Sequence, residues 1–181
     1  MKRKECRAML SFLKKKNQEE TVKELKACIS GRVIPITEVK DQVFSSRALG
    51  DGIAIEPEGN IITAPGDGVI SVIMEDTRHA VGMTLNNGAE ILIHEGLDTV
   101  EMNGEGFELF VKAGDKVKAG DRLLKFDADL ILERGFERTC VLVLTNTDEF
   151  PDVTFHTGMS GEQNQTVVVS FLGTGGGASK R

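Results

Sequence analysis

The chain holds three histidines, His79, His94 and His156, and the first two bracket the segment HAVGMTLNNGAEILIH. Asn86, Asn87 and Gly88 at its middle form a turn signal between two arms that read as strands. A hairpin centred between Asn86 and Asn87 sets His79 directly opposite His94. A two-residue Asn87-Gly88 turn instead pairs His94 with Val81 and leaves the histidines as diagonal neighbours on one face. Only an odd loop with no compensating bulge sends them to opposite faces. Directly opposed Cβ atoms lie roughly 4.5–5.5 Å apart, so both rings could touch one small ligand. A neutral imidazole is a nucleophile near neutral pH, and a second ring can orient it or donate to the group being transferred. Phosphoryl transfer suits such a pair, because its catalysis is mostly positioning and charge stabilisation. Zinc binding is the competing use of two close imidazoles.

Short β-branched runs must carry these residues. Between Ile29 and Phe171 the chain reads RVIPI, GIAIEP, NIITAP, GVISVI, EILIH, ELFV, CVLVL and TVVVSF, punctuated by Gly, Asp, Asn and Pro. This pattern predicts an all-β fold, an antiparallel β-sandwich or barrel-sandwich hybrid. Residues 111–124 (VKAGDKVKAGDRLL) repeat a Gly-Asp turn, and APGDGVI at 64–70 resembles it. Such turns fold a compact sheet back on itself and specify fold, not chemistry. One helical turn is predicted over 128–134, ended by Gly135, and a short helix over 18–27 (QEETVKELKA). Three zones follow: a basic, partly helical tail over 1–27, a β domain over 28–172, and a Gly-rich tail over 173–181.

With 181 residues, 40% of them hydrophobic, the chain can bury a core without disulfides or metal staples. Cys6, Cys28 and Cys140 are an odd number with no Cys-x-x-Cys pair, which argues against a disulfide framework and suits a reducing cytoplasm. No apolar run approaches the roughly 20 residues that cross a bilayer, and no secretory signal is legible at the start. The net charge of −6 is uneven. Lys2, Arg3, Lys4, Arg7, Lys14, Lys15 and Lys16 face one acid, Glu5, in the first stretch, so the remainder is more acidic than the whole. An acidic body is a poor nucleic-acid binder and a good match for a partner presenting positive charge.

The strings DQVFSSRALGD (41–51), GDGIAIEP (50–57), APGDGVI (64–70), TRHAVGM (77–83), EILIHEGLDTVEMNGEGF (90–107) and VKAGDKVKAGDRLLKFD (111–127) together closely resemble the glucose-family IIA domain of the bacterial phosphoenolpyruvate:sugar phosphotransferase system. The resemblance spans about residues 28–171 in the same order. It implies a β-sandwich that accepts a phosphoryl group from the histidine phosphocarrier HPr and passes it to the cysteine of a IIB domain, with no cofactor and no metal. It further implies that His94 is the phosphorylated histidine, reacting through Nε2, and that His79 helps hold the phosphoryl group. Thr77 corresponds to the hydroxyl that orients the second ring, and Phe44 to part of the apolar rim. Asp41 and Asp98 correspond to flanking acids that meet a cationic side chain of the carrier.

Some positions depart from the family pattern. Glu95 follows His94 where an apolar residue is usual, and strand alternation is expected to turn its carboxylate away from the phosphoryl group. The segment 69–79 is one residue longer than the common form, which leaves Met74 and Glu75 both eligible for the usual aromatic rim position. His156 receives no role, and Cys140 reads as a buried strand residue. Two other activities share the scaffold. A biotinyl or lipoyl carrier needs a lysine at a hairpin tip, but Asp115-Lys116 is followed by Val117 in a repeated turn. A zinc peptidase finds a His-x-x-x-Asp spacing at His94 and Asp98 but no His-x-His. Met9, Leu10, Phe12 and Leu13 beside Lys14–Lys16 suit weak contact of the N-terminal tail with anionic lipid at the inner membrane surface. MLSFLKKK from Met9 resembles the opening of stand-alone family members, which makes Met9 an alternative start to Met1, and the lack of a transmembrane segment leads to the expectation of a free-standing, monomeric cytoplasmic subunit.

Overall fold

Fourteen short strands and little helix make up the computed structural model, which describes residues 22–172. In chain order the strands are β1 (Glu24–Lys26), β2 (Gly31–Pro35), β3 (Asp51–Pro57), β4 (Ile61–Thr63), β5 (Gly68–Ile73), β6 (Ala80–Leu85), β7 (Glu90–Leu97), β8 (Phe107–Leu109), β9 (Lys116–Val117), β10 (Arg122–Phe126), β11 (Glu137–Leu144), β12 (Val153–Phe155), β13 (Met159–Gly161) and β14 (Val167–Phe171). All pairings are antiparallel. Eight strands form one sheet in the order β13-β2-β3-β11-β7-β6-β5-β9, and two three-stranded sheets, β4-β10-β8 and β1-β14-β12, complete the fold.

The central strands of the large sheet are covered on both faces, which explains why CVLVL and GIAI read as unbroken apolar runs. Ile53, Ile55, Ile91, Ile93, Cys140 and Leu142 point into the main core, together with Leu124 and Phe126 from β10. Ala54, Val141 and Val143, their immediate neighbours in sequence, point the other way into a smaller cluster with Ile36, Phe44 and Leu97. Period-two alternation therefore assigns the central residues of β3, β7 and β11 to one of two apolar layers, and Leu97 departs from it after the bend at Gly96. His94 falls on the smaller-cluster face, and Glu95 falls on the main-core face.

The repeated Gly-Asp turns behave as the sequence suggests. Asp115 accepts from the backbone N–H of Lys112 at 3.0 Å, and Asp121 accepts from that of Lys118 at 2.8 Å, in equivalent loops. A short helix, α1, spans Gln42–Ser45 and is capped by Asp41. A second, α2, spans Ala128–Glu133, capped by Asp127 and followed by Gly135. The helix expected over 18–27 is corrected where the structure describes it. Residues 24–26 are β1, paired with β14, with Leu25 fully buried between exposed Glu24 and half-buried Lys26. A strand partner and a core pocket for one leucine outweigh a helix propensity of a few tenths of a kcal/mol per residue. Residues 18–21, Cys6 and the two tails lie outside the described residues.

The His79–His94 segment also needs correction. Its loop has three residues, Asn86 to Gly88, closed by Leu85 N–H donating to the Ala89 carbonyl at 2.8 Å. Gly88 takes φ of 87°, a left-handed value that a side chain would resist, as three-residue hairpins require. The register then sets Ala80, not His79 or Val81, opposite His94, with no bulge between β6 and β7 to shift it. Strict alternation along β6 would send His79 to the core with Val81 and Met83. It escapes because residue 79 precedes β6, where the chain turns at Arg78 with φ of 55°.

Candidate functional site

His94 sits near the end of β7 on the face that carries Leu92, and the chain bends sharply just after it. Gly96 takes φ of 76°, and a Cβ there would lie 2.3 Å from the Thr99 methyl. The Thr99 hydroxyl, fully buried, donates to the Glu95 carbonyl at 2.6 Å and fixes the bend. The ring stands among neighbours that leave it little freedom. Phe44 packs edge-on with centroids 4.9 Å apart, and His79 does the same at 4.6 Å with the planes 85° apart.

His94 Nδ1 is buried with no hydrogen bond of regular geometry, and the Gly96 carbonyl is the backbone acceptor that bears on it. Burial, with the adjacent His79 ring second, pulls the pKa of His94 down to about 4, and the Gly96 carbonyl and Asp41 only partly oppose this. The ring is therefore neutral near pH 7, the form in which a ring nitrogen keeps a free lone pair. His79 is also lowered, chiefly by burial, against the Thr77 backbone carbonyl, which accepts from the ring and acts the other way. Its Nδ1 lies 2.9 Å from the Thr77 hydroxyl oxygen.

These groups share a cleft of about 850 Å³, and Asp41, Phe44, Thr77, His79, His94 and Asp98 all line it. Phe44 is buried, whereas Asp98 is exposed with a left-handed φ of 59°. Asp41 is engaged locally. One of its oxygens accepts from the N–H groups of Val43 and Phe44, which sets the helix that carries Phe44. Met74 and Glu75 both reach the cleft, so the longer 69–79 segment supplies two rim side chains. Val43, Leu49 and Val100 complete an apolar rim that sequence reasoning missed. Each is between 42% and 50% exposed, a large share for side chains of their type. An exposed apolar ring edged by Asp41, Glu75, Asp76 and Asp98 is the make-up of a surface that docks a basic partner with an apolar centre. His156 lies elsewhere, with Nε2 at 2.8 Å from the Ser170 hydroxyl.

The family described as the phosphoenolpyruvate-dependent sugar phosphotransferase system, EIIA 1, matches residues 23–150. The chain belongs to that family. The EIIA chain is 44% identical over 154 residues to the PTS system glucose-specific EIIA component of Bacillus cereus, covering 85% of this chain and 91% of that one. It is 45% identical over 122 residues to the PTS system beta-glucoside-specific EIIBCA component of Bacillus subtilis, covering 67% of this chain and 20% of that longer one. Among solved structures it is similar to glucose permease IIA from Mycoplasma capricolum. The TM-score is 0.70 at 35% identity, over 82% of this chain and 94% of the other. EIIA proteins are phosphotransferase components of sugar uptake, so the chain is a phosphocarrier, and the comparisons give the peptidase and biotinyl or lipoyl readings no support.

Glu95, the next residue of β7, faces away from the cleft. It is fully buried, and neither carboxyl oxygen has a hydrogen bond of regular geometry, the Cys140 thiol being the side-chain partner that bears on it. Its face of β7 looks on Cys140 and Cys28, away from the His94 cleft. Burial holds its pKa well above the ordinary carboxylate range, with Cys28 adding to the effect. A carboxyl with a raised folded-state pKa contributes stability that is fully present below the ordinary carboxylate range. That contribution is lost as pH rises through the folded value. Glu95→Leu removes a buried, unsatisfied polar group and is expected to stabilise the fold by about 1–3 kcal/mol. Thermal denaturation is expected to show the gain growing from mildly acid to mildly alkaline pH. A gain that stays flat or reverses with pH would contradict a neutral buried Glu95.

Proposed function

We propose that His94 accepts the phosphoryl group from HPr on Nε2 and that a IIB domain then removes it onto a cysteine. The observation that carries this reading is the pair of imidazoles 4.6 Å apart in one cleft, one of them with Nδ1 buried. The neutral Nε2 lone pair attacks phosphorus in line with the departing nitrogen of the carrier's phosphohistidine. One N–P bond forms as the other breaks. His79 donates to the phosphoryl oxygens as charge shifts onto them. When the Thr77 hydroxyl donates to His79 Nδ1, the ring's proton resides on Nε2 and faces the cleft. Phe44 keeps water from the N–P bond, while Asp41 and Asp98 meet the cationic side of each partner. Weak contact of the basic N-terminal tail with the inner membrane surface, and a cytoplasmic location, fit this role.

The depressed pKa of His94 revises the pH range that an ordinary histidine would give. An unperturbed ring would lose its lone pair below about pH 6.5. Here protonation sets in nearer the value of about 4, so acceptance is expected to persist through pH 5–6. Rapid-quench labelling with phospho-HPr across this range checks the point, provided the donor is shown to stay active. Loss of acceptance with a midpoint near 6.5 would mean that His94 is not desolvated as described. The test of the function itself is incubation with phosphoenolpyruvate, enzyme I and HPr. An acid-labile, base-stable adduct mapping to His94 is expected, and a folded protein that acquires none would overturn the reading.

A further inference from the structure

Behind the phosphoacceptor strand lies a group of side chains that phosphoryl transfer does not use. Cys28 and Cys140 are 112 positions apart in sequence, yet their Sγ atoms are 3.9 Å from each other, both in the main core. Both are free thiols. Their backbones are fixed. The Cys28 carbonyl accepts from Thr63 N–H at 2.9 Å and from Gln163 Nε2 at 2.8 Å, and Cys140 is held in the ladder between Ile55 and Glu95. Glu95 is directly opposite Cys140 in that ladder, and its buried carboxyl has no hydrogen bond of regular geometry, with the Cys140 thiol as the side-chain partner that bears on it. Two thiols in contact beside such a carboxyl form a proton-and-sulfur cluster, which a core packed only for stability would fill with apolar groups.

We propose that Cys28 and Cys140 are an oxidisable pair, closed to a disulfide by a small peroxide, with Glu95 as the internal base that carries the thiol protons. In the minor fraction of molecules whose Glu95 is ionised, the carboxylate takes the proton of Cys140, and the thiolate attacks one peroxide oxygen. The O–O bond breaks, leaving a sulfenic acid on Cys140 and a hydroxide that takes the proton back from Glu95 as water. Cys28 then attacks the sulfenic sulfur. An S–S bond forms, and hydroxide leaves with the Cys28 proton, again through Glu95, as a second water. The two thiols lose two electrons and the peroxide gains them, so Glu95 ends as it began. Thiolate formation at Cys140 is opposed first by the Cys28 hydrogen bond and burial and then by the charge of Glu95, so Glu95 acts by taking the proton and not by stabilising the thiolate. The cross-link ties the segment before β2 to β11, the strand that flanks the His94 strand.

The charged or titratable groups that bear on Glu95 are Cys28, Cys140 and the half-buried Arg138. The test is hydrogen peroxide treatment of the full-length protein, followed by denaturation in an alkylating agent and unreduced peptide mapping. A Cys28–Cys140 peptide, lost on reduction, is expected. Glu95→Gln is expected to slow its formation about tenfold or more, the scale of a removed general base. Should that variant fail to fold, the wild-type pH profile decides. With Glu95 as base the rate climbs and then levels off as the carboxyl ionises. An unaided thiol well below its pKa keeps climbing about tenfold per pH unit. Cysteines that stay reduced, that oxidise singly to sulfinic acid, or that pair through Cys6 would overturn the proposal. Equal rates in wild type and Glu95→Gln, or a climb without levelling, would overturn the part given to Glu95.

Discussion

His94→Ala is expected to abolish phosphoryl acceptance from HPr while leaving a folded protein. Among the described residues that line the cleft, none but His79 offers another ring nitrogen. His79 is ordered by Thr77 through one nitrogen, and the remaining lining groups are apolar side chains and acids whose charge repels a phosphoryl donor. The loss is of the reacting atom itself, so no residual transfer through positioning is expected at that site. Removing the ring empties space beside Phe44, which makes a modest loss of stability the expected side effect. Circular dichroism and a cooperative melt check that the fold survives, and phosphoryl labelling measures the function. Retained labelling of the folded variant would sink the assignment of His94.

The second large effect is expected from His79→Gln. The variant should still be phosphorylated, because His94 keeps its lone pair and its buried Nδ1. Onward transfer to a IIB domain should fall by roughly 10²–10³-fold, the range for removing one donor that acts on developing charge. The glutamine also ends the edge-on stacking of two rings at 4.6 Å and the electrostatic pull of one imidazole on the other. The pKa of His94 should therefore rise in the variant from its value of about 4, since His79 is the second-largest cause of its depression. Single-turnover discharge of the phosphorylated variant, with NMR titration of the His94 ring, measures both effects. Unimpaired discharge would leave His79 a neighbour and not a participant.

Much of this molecule was legible in its residues. The short β-branched runs announced antiparallel sheets, and the Gly-Asp repeats became two equivalent turns held by Asp115 and Asp121. The alternation that turned Glu95 away from His94 also held, because both residues lie within β7, where the pleat fixes successive side chains on opposite faces. Local patterns were enough for each of these, since the interactions that set them join residues close in sequence.

Other features depend on contacts between distant parts of the chain. Leu25 became a strand residue because β14, more than 140 positions away, offered hydrogen bonds and a core pocket. The hairpin shows the same limit at finer grain. Counting residues between His79 and His94 suggested an even loop, and the observed three-residue loop shifts the register by one. The two rings still meet, because the chain turns at Arg78 before β6 begins. Which residue types react was set by the sequence alone, since no fold turns another side chain into an imidazole. The tertiary structure decided which nitrogen of His94 is buried, how far the ring's pKa falls, which apolar rim surrounds it, and which two thiols lie in contact behind it. Desolvation and ring packing depend on atoms brought together from many segments, and no single segment of the chain encodes them.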